Sequence, residues 1–178
     1  SQTIKGLKTT YKKTYGAKAF YLKASAATAL KYKSSNAKVA AVNAAGKVAI
    51  KGAGTAKITV TASADKNYKA ASKTVTVSVA KAKPTIKVKT STKTYKAAVV
   101  KKKAQTFSPG ITVNSKGTLS YKKTSGNKKI TVNKKNGKIT VAKGMKKGTY
   151  KIGITVTAAA KGNYTKGTKK VTVTVRVK

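Results

Sequence analysis

Thr74-Val75-Thr76-Val77-Ser78-Val79 decides the fold: every second residue is valine, and each residue between carries a hydroxyl. The same alternation runs through Lys57-Ile58-Thr59-Val60-Thr61 and Lys47-Val48-Ala49-Ile50-Lys51. It returns later at Ile86/Val88, Ile130/Val132, Ile139/Val141, Tyr150/Ile152/Ile154/Val156 and Val171/Val173/Val175/Val177. A period of two places each apolar set on one face of a strand and leaves threonine and lysine on the other. β-Branched side chains suit such half-buried strands. Turn signals fall between the runs. Asn43-Ala44-Ala45-Gly46 and Asn133-Lys134-Lys135-Asn136-Gly137 each read as a hairpin loop whose glycine takes a positive φ. No helix of any length is expected. Many short strands at this spacing predict an all-β chain built from antiparallel sandwiches.

The chain also repeats itself. Leu30-Lys31-Tyr32 through Val79 parallels Leu119-Ser120-Tyr121 through Val175, sharing the Asn-to-Gly hairpin. Gly54-Thr55 pairs with Gly148-Thr149, and Asn67-Tyr68 with Asn163-Tyr164. Either Thr14-Tyr15 or Tyr11-Lys12 corresponds to Tyr95-Lys96 at the start of each unit. The offset between matched positions grows along the chain, so the second unit carries insertions. Ala80-Lys81-Ala82-Lys83-Pro84 is the natural junction, because Pro84 cannot continue a ladder. The expected organisation is a first domain over 1–80, a linker over 81–84 and a second, more basic domain over 85–178.

Ser34-Ser35-Asn36, Val39-Ala40-Ala41-Val42, Gly46-Lys47-Val48 and Gly54-Thr55-Ala56-Lys57-Ile58-Thr59-Val60 occur in order, followed by Asn67-Tyr68 and the closing Val-Thr-Val strand. This stretch resembles the bacterial immunoglobulin-like group 2 repeats of invasin- and intimin-like surface adhesins, and the second unit is a looser copy. The resemblance implies two tandem immunoglobulin-like β-sandwiches, an extracellular or cell-surface location, and use as stalk, spacer or adhesion module. It implies no catalysis and no shared ligand site. The departure from such repeats is charge, since Ala37, Ala44, Ala45 and Ala64 stand where such loops often carry aspartate. Selection or design could each have removed the acids.

The chain holds 42 Lys and Arg against a single acid, Asp65, for a formal net charge of +41. Arg176 is the only arginine, and histidine and cysteine are absent. Thiolate and imidazole chemistry, paired-carboxylate hydrolysis and acidic calcium sites therefore have no residues to build on. No cofactor, metal or enzymatic activity is expected. The Gly52-Ala53-Gly54-Thr55 stretch lacks phosphate-loop spacing and reads as a turn. Asp65 lies in Ala64-Asp65-Lys66-Asn67 and reads as a local turn or a lysine partner rather than half of an isopeptide bond. No apolar run approaches a membrane span, and any targeting signal lies outside the sequence.

Charge this dense repels itself within a Debye length of about 8 Å at physiological salt, which favours a monomer and calls for a polyanionic partner. Lysine is a flexible point charge and suits diffuse attraction better than base-specific readout. Residues 1–80 carry 15 Lys and Asp65, while 81–178 carry every other cation and no acid. The candidate polyanion-binding residues therefore lie in the second domain: Lys101, Lys102, Lys103, Lys122, Lys123, Lys128, Lys129, Lys134, Lys135, Lys146, Lys147, Lys169 and Lys170. Candidate partners are teichoic acid, sulfated or sialylated glycans, DNA or RNA without sequence specificity, and anionic membrane surfaces. The tyrosines Tyr11, Tyr15, Tyr21, Tyr32, Tyr68, Tyr95, Tyr121, Tyr150 and Tyr164 could stack on bases, although core or corner roles are commoner in small sandwiches. The alternatives are a structural spacer within a larger surface protein, and a supercharged variant for nucleic-acid or protein delivery into cells.

Overall fold

The computed structural model describes all residues, 1–178, and the chain divides into two compact units, Ser1–Ala82 and Lys83–Lys178. Each is a β-sandwich around its own core. In the first unit the strands are β1 (Thr10–Thr14), β2 (Phe20–Tyr21), β3 (Leu30–Ser34), β4 (Ala40–Val42), β5 (Lys47–Ile50), β6 (Gly54–Ala62) and β7 (Ala71–Ala80). One sheet has the order β1-β7-β6-β3 and the other β2-β5-β4. Ile58, Val60, Val75 and Val77 are fully buried with Val48 of the facing sheet. Their neighbours Lys57, Thr59, Thr74 and Thr76 face outward, as the alternation requires.

The second unit comprises β8 (Ile86–Val88), β9 (Thr92–Tyr95), α1 (Ala97–Lys102), β10 (Gln105–Phe107), β11 (Ile111–Val113), β12 (Leu119–Ser125), β13 (Ile130–Val132), β14 (Ile139–Val141), β15 (Gly148–Ala158) and β16 (Gly167–Val177). Its main sheet has the order β12-β15-β16-β9, faced by β10-β14-β13, with a β8–β11 pair beside them. Pairing is antiparallel throughout except at one edge of each unit. There the first strand of the main sheet runs parallel to the last, β1 on β7 and β9 on β16.

That edge also resolves the start of the repeat. Lys13 opposes Val79 and Lys93 opposes Val175, so Thr14-Tyr15 corresponds to Thr94-Tyr95. The hairpins are built alike, the second longer by one residue. Asn43 Oδ1 accepts from the backbone N–H of Ala45 and Lys47, and Asn133 Oδ1 from those of Lys135 and Asn136. Gly46 (φ 70°) and Gly137 (φ 68°) lie directly under the rings of Tyr32 and Tyr121, which leave no room for a Cβ. These two tyrosines are corner-packing residues.

The expectation of no helix fails at α1. Nothing local specifies this six-residue element: Lys96 at its start offers no side-chain cap, and its first turn has no acid. Tertiary burial of Val100 against the core holds it, and two lysines in the last turn complement the backbone carbonyls there.

Candidate functional site

Register locates the insertions of the second unit. Tyr15 to Phe20 is five positions, whereas the matching Tyr95 to Phe107 is twelve, and the excess is α1 with its flanks. Three residues separate β5 from β6 and six separate β14 from β15, so the β14–β15 loop is longer by three, and β15 also begins two register positions before β6 does. The two insertions meet. Gly144 N–H donates to the Val100 carbonyl at 3.0 Å, and the Tyr150 hydroxyl donates to the Lys146 carbonyl at 2.8 Å. The inserted chain is lysine-rich at both places, with Lys96, Lys101, Lys102 and Lys103 around α1 and Lys143, Lys146 and Lys147 in the loop.

Lys101, Lys146 and Lys147 thereby share a cavity of about 410 Å³ floored by Ala97, Ala98 and the buried Met145. Lys129 joins Lys146 around an adjoining cavity of about 240 Å³, because Ala142 N–H donates to the Lys129 carbonyl and draws that loop in. Lys102 and Lys103 line a third hollow beside Ala98 and the exposed Val99. The result is one basic end with an apolar floor and no carboxylate. It can hold several anionic groups at once, and long lysine stems pack along the apolar residues.

The remaining candidates are dispersed. A doublet on a strand splits between two faces. Lys122 lies outward in one row with Thr155 and Lys170 on the exposed face of the main sheet. Lys123 is half-buried on the inner side, and its ammonium donates to the carbonyls of Asn127 (2.6 Å) and Ile130 (2.7 Å). The Lys169 ammonium donates to the Ile86 carbonyl at 3.0 Å. These two lysines act as internal ties. Lys134 and Lys135 occupy the β13–β14 hairpin, at the opposite end of those strands from Lys129. Lys128 sits in the exposed turn between β12 and β13. The apolar floor of Ala97, Ala98 and Met145 was missed from sequence, since its role depends on which loops meet.

Asp65 forms a turn: its Oδ1 accepts from the backbone N–H of Asn67 (2.9 Å) and Tyr68 (2.7 Å). Gly52-Ala53-Gly54-Thr55 crosses from β5 into β6, as the turn reading expects. Burial raises the pKa of the Tyr95 and Tyr121 hydroxyls above the usual tyrosine value. The Tyr95 hydroxyl is enclosed without a hydrogen-bond partner, and its ring meets Phe107 edge-on at 6.3 Å. Tyr21 and Tyr68 are the tyrosines whose rings are exposed.

Residues 16–65 match the family model of the intimin immunoglobulin-like domain, so that stretch of the first unit is similar to a bacterial immunoglobulin-like adhesin domain. No curated protein sequence matches the chain. Among solved structures it is similar to human protocadherin-24 EC1-2, at TM-score 0.46 and 18% identity over 99% of this chain and 97% of that one. It is also similar to Drosophila N-cadherin EC1-4, at TM-score 0.45 and 14% identity over 95% and 47% of the two chains. A third is a SusE-like surface located polysaccharide binding protein from the Bacteroides thetaiotaomicron heparin utilisation locus, at TM-score 0.36 and 15% identity over 99% and 34%.

Proposed function

We propose that the chain is a non-catalytic, cationic surface module that holds polyanions through lysine electrostatics, with first contact at the basic end of the second unit. The observation that carries this is the convergence of both insertions of that unit on one lysine-rimmed, acid-free end. A spacer has no need of insertions that gather like charges, because gathered charge costs stability unless a partner offsets it. The location is extracellular or at the cell surface, in keeping with the intimin-like match. Teichoic acid, sulfated or sialylated glycans, nucleic acid and anionic membrane all carry the required charge. Monomers are favoured by self-repulsion. The absence of catalysis is supported by the composition, which lacks His and Cys and whose one carboxylate is spent in a turn.

The test is binding of the whole chain to heparin, duplex DNA and teichoic acid across a salt series. The proposal expects micromolar or tighter binding to all three at 50 mM salt and steep, similar losses as salt rises, because each neutralised anion releases counterions. Failure to bind any of them at 50 mM salt rejects it and leaves the structural spacer, which the tandem repetition of the same sandwich supports.

A further inference from the structure

The first unit has a feature that its sister lacks. At its open flank, between the edge strands β1 and β2, a cleft of about 300 Å³ is lined by Lys8, Lys13 and Lys23 with Tyr11, Phe20 and Tyr21. The rings of Tyr11 and Phe20 stack on each other, with centroids 5.2 Å apart and planes 28° from parallel. The Lys13 ammonium sits 4.5 Å above the Phe20 ring, and that of Lys47 lies 5.7 Å from the Tyr21 ring centroid. The Tyr21 side chain is 57% exposed. The walls are fixed: Lys5 and Ser25 exchange backbone hydrogen bonds, the Lys8 N–H donates to the Tyr11 hydroxyl, and Gly6 allows an approach to the Lys23 carbonyl that no Cβ would permit.

The internal repeat shows that the fold does not require the two tyrosines. The register that aligns Lys13 with Lys93 aligns Tyr11 with Ser91. The register that aligns Phe20 with Phe107 aligns Tyr21 with Ser108. The second unit keeps the half-buried phenylalanine and builds the same flank with serine at both other positions. Aromatic residues that the fold can do without, beside unpaired cations, mark a site for a ring-bearing anion.

We infer that this cleft binds an acidic sugar, one pyranose ring packing its C–H face against Tyr21 while Lys8, Lys13 and Lys23 take the sulfate or carboxylate groups around it. Two observations favour a sugar over a nucleic acid. Tyr11 and Phe20 cover each other, which leaves one ring for stacking, whereas strands of bases draw affinity from successive platforms. The rim also holds no Arg, Asn or Gln to read a base edge bidentately. Lysine donors suit a ligand whose substituents are all acceptors. The inference rests on the polyanion reading and narrows it to a substrate class at a shaped site.

The experiment measures binding of the whole chain to a sulfated heparin hexasaccharide, an oligogalacturonate and a thymidine oligonucleotide of matched charge, at 50 mM and about 0.5 M NaCl. The variants are Tyr21→Ser, which copies the second unit's own residue, and the combined Lys101→Gln, Lys129→Gln, Lys146→Gln and Lys147→Gln. At high salt the wild type and the lysine variant should retain at least one of the two oligosaccharides and lose the oligonucleotide. Tyr21→Ser should weaken the retained oligosaccharide about tenfold. Which oligosaccharide survives identifies sulfate or carboxylate as the recognised group. High-salt retention unaffected by Tyr21→Ser, or retention of the oligonucleotide alone, overturns the inference. Loss of all three at high salt overturns it too, while leaving low-salt attraction intact. Absence of binding at 50 mM would instead reject the polyanion reading itself.

Discussion

Replacing Lys101, Lys129, Lys146 and Lys147 by glutamine removes the cations that the two insertions gather, without touching a buried side chain. On B-DNA each phosphate neutralised contributes about 0.9 to the slope of log affinity against log salt, so four lost contacts flatten that slope by about 3.6. Between 50 and 150 mM salt the wild type should therefore lose about 50-fold more affinity than the variant. Fluorescence anisotropy with a labelled duplex reads this directly. The matched control replaces Lys122, Lys134, Lys135 and Lys170, which removes the same charge from the outer sheet face and the far hairpin. Its slope should change by less than about one. Equal flattening in both variants would refute the placement, since it would mean that the contacts are spread evenly over the unit. Both variants should melt no lower than the wild type, because removing unpaired like charge relieves repulsion.

Three further outcomes follow from packing. Gly137→Ala puts a Cβ 2.6 Å from the Tyr121 ring at a φ of 68°, so chemical denaturation should show the second unit weakened by about 2 kcal/mol or more; an unchanged midpoint would contradict the corner geometry. Tyr95→Phe deletes an enclosed hydroxyl that has no partner and should leave the melting temperature unchanged or raised; a clear loss would reveal a partner for it. Val100→Ala leaves the charge intact but frees α1, at a cost of roughly 2 kcal/mol; low-salt DNA affinity should fall through disorder of Lys101–Lys103 alone, and an unchanged affinity would show that arrangement is irrelevant.

The strands were legible because alternation is a local signal: Val75, Val77, Ile58 and Val60 face inward for the same reason that their threonine neighbours face out. The hairpin glycines were legible because only a positive φ explains them. α1 was not. Ala97-Ala98-Val99-Val100 has neither helical periodicity nor a cap, and its conformation comes from the burial of Val100, a tertiary fact. The basic end was half legible, since lysine doublets are visible but the Gly144–Val100 contact that unites two of them is not. The splitting of Lys122 from Lys123 was available in principle, because Tyr121 faces the core and a period of two then sends its neighbour outward. The cleft on the first unit was not legible, because it needs β1 and β2 brought side by side at the open flank, and the dispensability of Tyr11 and Tyr21 rests on a register that pairs them with serines of the second.

One comparison tests charge recognition most directly: binding of the whole chain at 50 mM salt to heparin and to the same polymer after complete desulfation, N-acetylation and carboxyl reduction. The account predicts tight binding to heparin and at least about 100-fold weaker binding to the uncharged polymer. Equal affinity for the two would show that the lysines are a solubilising coat and that the chain recognises something other than charge.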